Sequence, residues 1–128
     1  INSIASKNIS YVGDAISYAT TVSNVGNVPL GTYDVPVTVF TELSPSVSFI
    51  PGSLSINNVP VNCVNPSQIN LGILQPGDVR IITYSVRVNN ACPNIVYNIQ
   101  KLLYGYDPLY IGTSTFSVNG NIVMTYIN

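Results

Sequence analysis

The sequence predicts a sandwich of antiparallel β-sheets, and three observations carry that prediction. Apolar and polar residues alternate with a period of two in several short runs. Gly-Asp, Pro-Gly and Asn-rich clusters separate those runs at regular intervals. No segment spaces its apolar residues as a helix does. The clearest stretch runs from Ile69 to Val88. Ile69, Leu71 and Ile73 alternate with Asn70 and Gly72 as in a half-buried strand. In Gln75-Pro-Gly-Asp78, Pro76 presets φ and Gly77 can take a positive φ, which makes a turn. Ile82, Tyr84, Val86 and Val88 then face one way, and Ile81, Thr83, Ser85 and Arg87 the other. A strand of about nine residues with one apolar face must lie against a second sheet.

Composition bounds the rest. The 128 residues suit one domain, residues 1–128, large enough to bury a core without staples. Hydrophobic residues make up 46% and charged residues 7%, against about a quarter in ordinary domains, so Asn, Ser and Thr carry the polarity. Net charge is −1, and the four cations, Lys7, Arg80, Arg87 and Lys101, are scattered. That leaves no basic footprint for nucleic acid and no polybasic membrane anchor. No apolar run reaches transmembrane length, so no membrane insertion is expected. The chain starts at Ile1 and not at Met, and is read as processed or excised from a longer precursor. There is no His, and neither cysteine belongs to a Cys-x-x-Cys pair, which argues against zinc. A Ser or Cys nucleophile would lack its usual base, so neither an enzyme nor a cofactor is expected.

In chain order, Ile4 and Ile9 mark a weak edge or linking strand over Ile1 to Ser10, and Gly13-Asp14 makes a turn. Ile16, Tyr18 and Val22 alternate with polar residues in a strand, and Asn24 to Gly31 is a loop. Val35, Val37 and Val39 mark the next strand, and Val47, Phe49, Leu54 and Ile56 another, bent at Pro51-Gly52. Asn58 to Ser67 and Asn89 to Asn94 read as loops, with a strand at Ile95, Tyr97 and Ile99 after the second. Leu102 to Tyr110 is less regular. Thr113–Val118 alternates again, and Asn119-Gly120 suits a type I′ hairpin turn back into Asn121–Ile127. The alternative is one long strand kinked at Gly120. Seven or more short strands with regular turns define an immunoglobulin-like antiparallel sandwich, with residues 1–11 and 113–128 as linking or donor strands exchanged between subunits.

Several motifs also occur together and in order. They are Val12-Gly-Asp-Ala-Ile-Ser-Tyr18, Val22-Ser-Asn-Val-Gly-Asn-Val-Pro29, Phe49-Ile-Pro-Gly-Ser53, Ile56-Asn-Asn-Val-Pro-Val61 and Asn70-Leu-Gly-Ile-Leu-Gln-Pro-Gly-Asp78. The series resembles the conserved-repeat family called domain of unknown function eleven, densely over residues 12 to about 90. The Gly112-Thr-Ser-Thr-Phe116 tail is similar to the end of Gram-positive versions. The resemblance implies an immunoglobulin-like sandwich found in tandem arrays on bacterial or archaeal surface proteins, including stalks, adhesins and spore-surface proteins. It transfers no catalytic residue. The chain departs from the family at Thr41-Glu-Leu-Ser-Pro45, at Asn57-Asn58 and in having cysteines.

Candidate residues follow. In an immunoglobulin-like sandwich the loops carrying Cys63 and Cys92 leave the same end, so the two can form a disulfide around about 30 residues worth roughly 3–4 kcal/mol. Intersubunit bridges and free thiols are the alternatives. Asp14 and Asp78 read as turn residues and not as calcium ligands. Lys7, Glu42 and Asn121 or Asn128 supply the generic ingredients of an isopeptide crosslink, and Asn8-Ile-Ser10 a formal glycosylation sequon. Ile4, Ile9, Tyr104, Tyr106, Tyr110, Phe116, Val118, Ile122, Met124 and Tyr126 are the candidate subunit contacts, because aromatic and apolar side chains favour interfaces. The expected function is an extracellular structural subunit or repeat of a prokaryotic surface fibre or stalk, at the cell or spore surface. Its expected partners are copies of itself, as a homopolymer or tandem neighbours, and other cell-surface components. The alternative is an adhesin-type module that recognises a glycan or protein through loops 24–34, 58–68 and 89–94 at one shared end.

Overall fold

A computed structural model of the chain describes residues 1–6, 9–32, 35–61, 67–90, 95–106 and 114–127. Among these residues there are twelve strands and no helix. The strands are β1 (Asn2–Ala5), β2 (Ile9–Ser10), β3 (Ala15–Ser23), β4 (Val37–Leu43), β5 (Val47–Phe49) and β6 (Ser55–Ile56). They continue with β7 (Val59–Pro60), β8 (Gln68–Gly72), β9 (Val79–Val88), β10 (Ile95–Tyr106), β11 (Ser114–Asn119) and β12 (Val123–Ile127). Sheet A has the order β1-β3-β9-β6-β7, with β5 also paired to β9. Sheet B has the order β2-β12-β10-β4-β8, with β11 also paired to β10. Every pairing between named strands is antiparallel except the short β2–β12 pair.

The sheets meet as a β-sandwich because their strands alternate. Ile16, Tyr18 and Val22 of β3 and Ile82, Tyr84, Val86 and Val88 of β9 are buried, as period two requires. They form one apolar cluster with Val37 and Val39 of β4, Ile69 and Leu71 of β8, Val96 and Leu102 of β10 and Ile127 of β12. Burying a side chain of this size contributes roughly 1.5–3 kcal/mol, so these two faces hold the layers together.

The alternation slips in two places. Ile73 was expected inside and is instead 41% exposed, while Leu74 is fully buried. Gly72 has φ +74°, and this kink turns the next side chain over. The predicted loop from Asn58 begins inside a hairpin. Ser55 and Ile56 pair with Pro60 and Val59 around Asn57-Asn58, whose φ values are +51° and +65°. That is the left-handed pair a two-residue hairpin turn needs, supplied by asparagines.

The chain's ends depart further from expectation. Residues 1–10 form two strands and not one: β1 lies on sheet A and β2 on sheet B, so the segment crosses between layers. As far as Tyr106 the stretch expected to be irregular belongs to β10, and Asp107 to Tyr110 lie outside the described residues. The expected hairpin at Asn119-Gly120 does not form. Lys101 to Tyr106 pair with Asn119 to Ser114, and Ile95 to Asn98 with Tyr126 to Val123. Thus β11 and β12 follow one another along the same side of β10, as the kinked-strand alternative has it. Three steps of β10, Lys101 to Asn98, are matched by four of the tail, Asn119 to Val123, which is a one-residue bulge. Gly120 stays in the ladder, donating its N–H to the Gln100 carbonyl at 2.8 Å. Twelve residues of β10 offer more ladder than a five- or six-residue hairpin arm can fill, so both segments find partners on it.

Candidate functional site

The edges of the sheets are where the sequence's polar residues become specific. On the edge of sheet A, Ser3 of β1 turns its backbone away from β3. The Asn121 carboxamide, at the bulge between β11 and β12, meets it: the Ser3 N–H donates to Asn121 Oδ1 at 2.7 Å, and Asn121 Nδ2 donates to the Ser3 carbonyl at 2.8 Å. A strand would make the same two bonds, so the side chain stands in for one. Behind it the Ser3 hydroxyl points inward. Gln100 Oε1 accepts from Ser3 Oγ at 2.6 Å and from Thr20 Oγ1 at 2.5 Å, and Gln100 Nε2 donates to Thr41 Oγ1 at 3.2 Å. Ser3, Thr20 and Gln100 are all buried. One carboxamide therefore ties β1 and β3 of sheet A to β4 of sheet B, and buried polar groups satisfied in this way specify how the layers stack.

A second polar group sits among the core aromatics. The rings of Tyr18 and Tyr84 lie 5.5 Å apart, and Phe49 lies 6.5 Å from Tyr84. The Tyr84 hydroxyl donates to Asn98 Oδ1 of the opposite sheet. Among the described residues the Tyr18 hydroxyl, Asn98 Nδ2 and Ser46 Oγ have no hydrogen-bond partner. Burial pushes the Tyr18 hydroxyl up from 10 to about 12. Burial, and then the neighbouring Tyr18, push Tyr84 up as well, against the lowering effect of Asn98. Both groups are neutral anchors of the core and offer no base for chemistry.

The predicted contact residues fall on three surfaces. Ile9, Met124 and Tyr126 project from the outer face of sheet B, with Ile122 exposed at the adjoining bulge. Tyr97 and Ile95 lie beside them, opposite Met124 and Tyr126 in the β10–β12 register. Ile4 is exposed on the outer side of β1. Tyr104, Phe116 and Val118 form the third surface, on the core-facing side of the long β10–β11 ribbon where it runs out beyond the core. Tyr104 stacks on Phe116 at 5.8 Å. Phe116 and Val118 are 45% and 42% exposed. Tyr106 ends β10. Tyr110, Cys63 and Cys92 lie outside the described residues, as do Lys7, Asn8 and Asn128. The strands that follow the two cysteine loops, β8 and β10, both run antiparallel to β4, so both are entered from the same end of sheet B.

Two further expectations are settled by this geometry. Asp14 Oδ2 accepts from the Tyr11 N–H at 3.0 Å and from Ser10 Oγ at 3.1 Å, and Asp78 Oδ2 accepts from the Gln75 N–H at 2.9 Å, so both acids fasten turns. The three loops of the adhesin reading do not share an end. Asn24 exchanges backbone bonds with the Gln75–Asp78 turn at the start of β9, whereas Asn89 follows the end of β9. Ten residues of extended strand separate them. Glu42 is exposed and Asn121 spends its amide on Ser3, while Lys7 and Asn128 of the isopeptide set lie outside the described residues. No three His, Cys, Asp or Glu side chains gather there either. No family model, curated protein or solved structure matches the chain. Sequence reasoning missed Gln100, whose only signal was a polar residue at an inward position of an otherwise alternating strand, and it named Asn121 only as a crosslink ingredient.

Proposed function

We propose that the chain is an extracellular structural subunit or repeat that builds a prokaryotic surface fibre, appendage or stalk through strand-mediated subunit contacts. The observation that carries this reading is the pairing of low charge with open apolar surface. With 7% charged residues the molecule has little repulsion to keep copies apart, and it exposes Met124, Tyr126, Ile122 and Ile9 together on one sheet face. The motif series of domain of unknown function eleven supports the same reading. So does the strand order, since β1-β3-β9-β6 against β12-β10-β4-β8 follows the spatial order of an immunoglobulin-like sandwich. One connection departs from that class: the chain visits β5, β6 and β7 on sheet A before β8 on sheet B. The partners are copies of the chain, or tandem neighbours, together with other components of a cell or spore surface.

Electron microscopy of the protein as isolated, neither reduced nor denatured, tests the proposal. Ordered filaments or strings of joined sandwiches are expected. Dispersed single globules at high protein concentration would overturn it.

A further inference from the structure

Among the described residues the outer edge of β11 is unpaired, and its sequence is complementary to itself. No strand among the described residues pairs with it. The ladder to β10 fixes which groups it presents. Gly120 gives its N–H to Gln100, so 100–120 is a hydrogen-bonded pair, and so, in alternation, are Leu102–Val118, Tyr104–Phe116 and Tyr106–Ser114. Gly105 confirms the phase from the other side of β10. Its N–H bonds to the Val35 carbonyl at 3.0 Å and its carbonyl accepts from Gly31 at 2.8 Å, so it offers nothing to Thr115. Thr115, Ser117 and Asn119 therefore turn their N–H and C=O groups outward.

Three other edges are blunted. Asn121 caps β1. β7 is two residues long and includes Pro60. On β8 the Asn70 side chain takes the Gly72 N–H at 2.8 Å. β11 has six residues, Ser-Thr-Phe-Ser-Val-Asn, with no proline and no charge.

We propose that β11 pairs antiparallel with β11 of a second copy, about a two-fold axis through Ser117, so that the two B sheets become one continuous sheet. This rests on the reading of the chain as a subunit that makes strand contacts. The register follows from the edge. With Ser117 opposite Ser117, Thr115 meets Asn119 and Asn119 meets Thr115, so every outward group is used and each pair exchanges two hydrogen bonds. On the half-exposed face, Phe116 of each copy then lies opposite Val118 of the other, an aromatic and β-branched pair of the kind that stabilises sheets. A shift of two residues leaves one outward residue unmatched and sets Phe116 against Phe116. A shift of one sets bonding groups against non-bonding ones. The neutral segment places no like charges across the axis, which is what an isologous contact requires.

Sedimentation velocity on the full chain and two double variants tests the register. Thr115→Glu with Asn119→Glu puts like charges opposite each other twice. It should weaken the dimer by roughly tenfold or more. Thr115→Glu with Asn119→Lys puts opposite charges there and should restore it. Ser117→Pro removes an N–H that the β10 ladder does not use, and should abolish the dimer while the fold survives. If the wild type associates and neither double variant changes that association, the β11 contact is wrong while the subunit reading stands. If the like-charge variant dissociates and the opposite-charge variant stays dissociated, a different strand occupies this edge and the self-pairing is overturned. If the wild type does not associate, both fall.

Discussion

β1 and β11 are both edge strands, and the molecule treats them in opposite ways. β1 is four residues long, and its outward backbone at Ser3 is covered by Asn121. Its inward hydroxyl is held by Gln100. β11 is longer, apolar on one face and uncapped by any strand among the described residues. The difference teaches that exposed ladder is not a general property of this fold. One edge, laid on β3, is closed with a dedicated side chain, while the other, laid on β10, is left uncovered among the described residues. Edges left open in a stable protein are candidate association sites, because closing them is chemically simple.

The harshest way to break this comparison is to remove the core that both edges share. Tyr18 and Tyr84 are held protonated by burial, with folded values above the ordinary 10. Below pH 10 both states keep their protons and stability is constant. Between pH 10 and about 12 the unfolded chain loses protons that the folded chain keeps, so stability falls by about 1.4 kcal/mol per pH unit for each tyrosine. The tyrosinate absorbance of this buried pair should appear together with loss of the fold, and not before it. Tyr18→Phe should raise the alkaline midpoint and leave neutral-pH stability unchanged or improved, since its hydroxyl has no described partner.

Gln100→Leu tests the closed edge from within. It removes the acceptor of both the Ser3 and Thr20 hydroxyls, which can then satisfy only one donor between them, and should cost about 2 kcal/mol in urea unfolding. A loss below about 1 kcal/mol would mean that the network does not hold the layers. Asn121→Ala opens the same edge from outside, at a cost of about 1–2 kcal/mol, and should speed hydrogen exchange at the Ser3 amide. Asn121→Asp should recover the bond from the Ser3 N–H only, since a carboxylate cannot donate to the Ser3 carbonyl. The smallest stability effect belongs to the open edge. The paired Glu substitutions at Thr115 and Asn119 should move the unfolding free energy by no more than about 0.5 kcal/mol, because both side chains are exposed. A large change there would show that β11 is structural, and the contrast between the edges would dissolve.

How much of this was legible follows from what each residue reports. β3 and β9 were read correctly because strands covered on one face declare that face by alternation, from Ile16 to Val22 and from Ile82 to Val88. Ile73 was misplaced because alternation cannot reveal a glycine kink, and Gly72 looks like any other half-exposed strand position until its φ is known. The tail was misread for a different reason. Asn-Gly is a strong local hairpin signal, but pairing is decided by the length of the partner, and the twelve residues of β10 favour two segments in series over a hairpin. Surface position was legible for Met124 and Tyr126, since apolar residues outside the core phase have few other places to go. The division of those residues among three surfaces was not, because it depends on which strand β10 pairs with at each point. The roles of Gln100 and Asn121 were not legible locally, since their partner Ser3 lies 97 and 118 positions away.

That last separation has a consequence in time. Ser3 leaves the ribosome 118 residues before Asn121 does. The β1–β3 hairpin can form early from neighbouring sequence, but the latch that finishes its outer edge cannot exist until nearly the whole domain has been made. A chain emerging residue by residue therefore carries an open edge at β1 until Asn121 follows it out. Contacts of such long range are also the slow ones in folding. The nascent protein is thus most exposed to wrong strand pairing at the edge that the finished protein protects best.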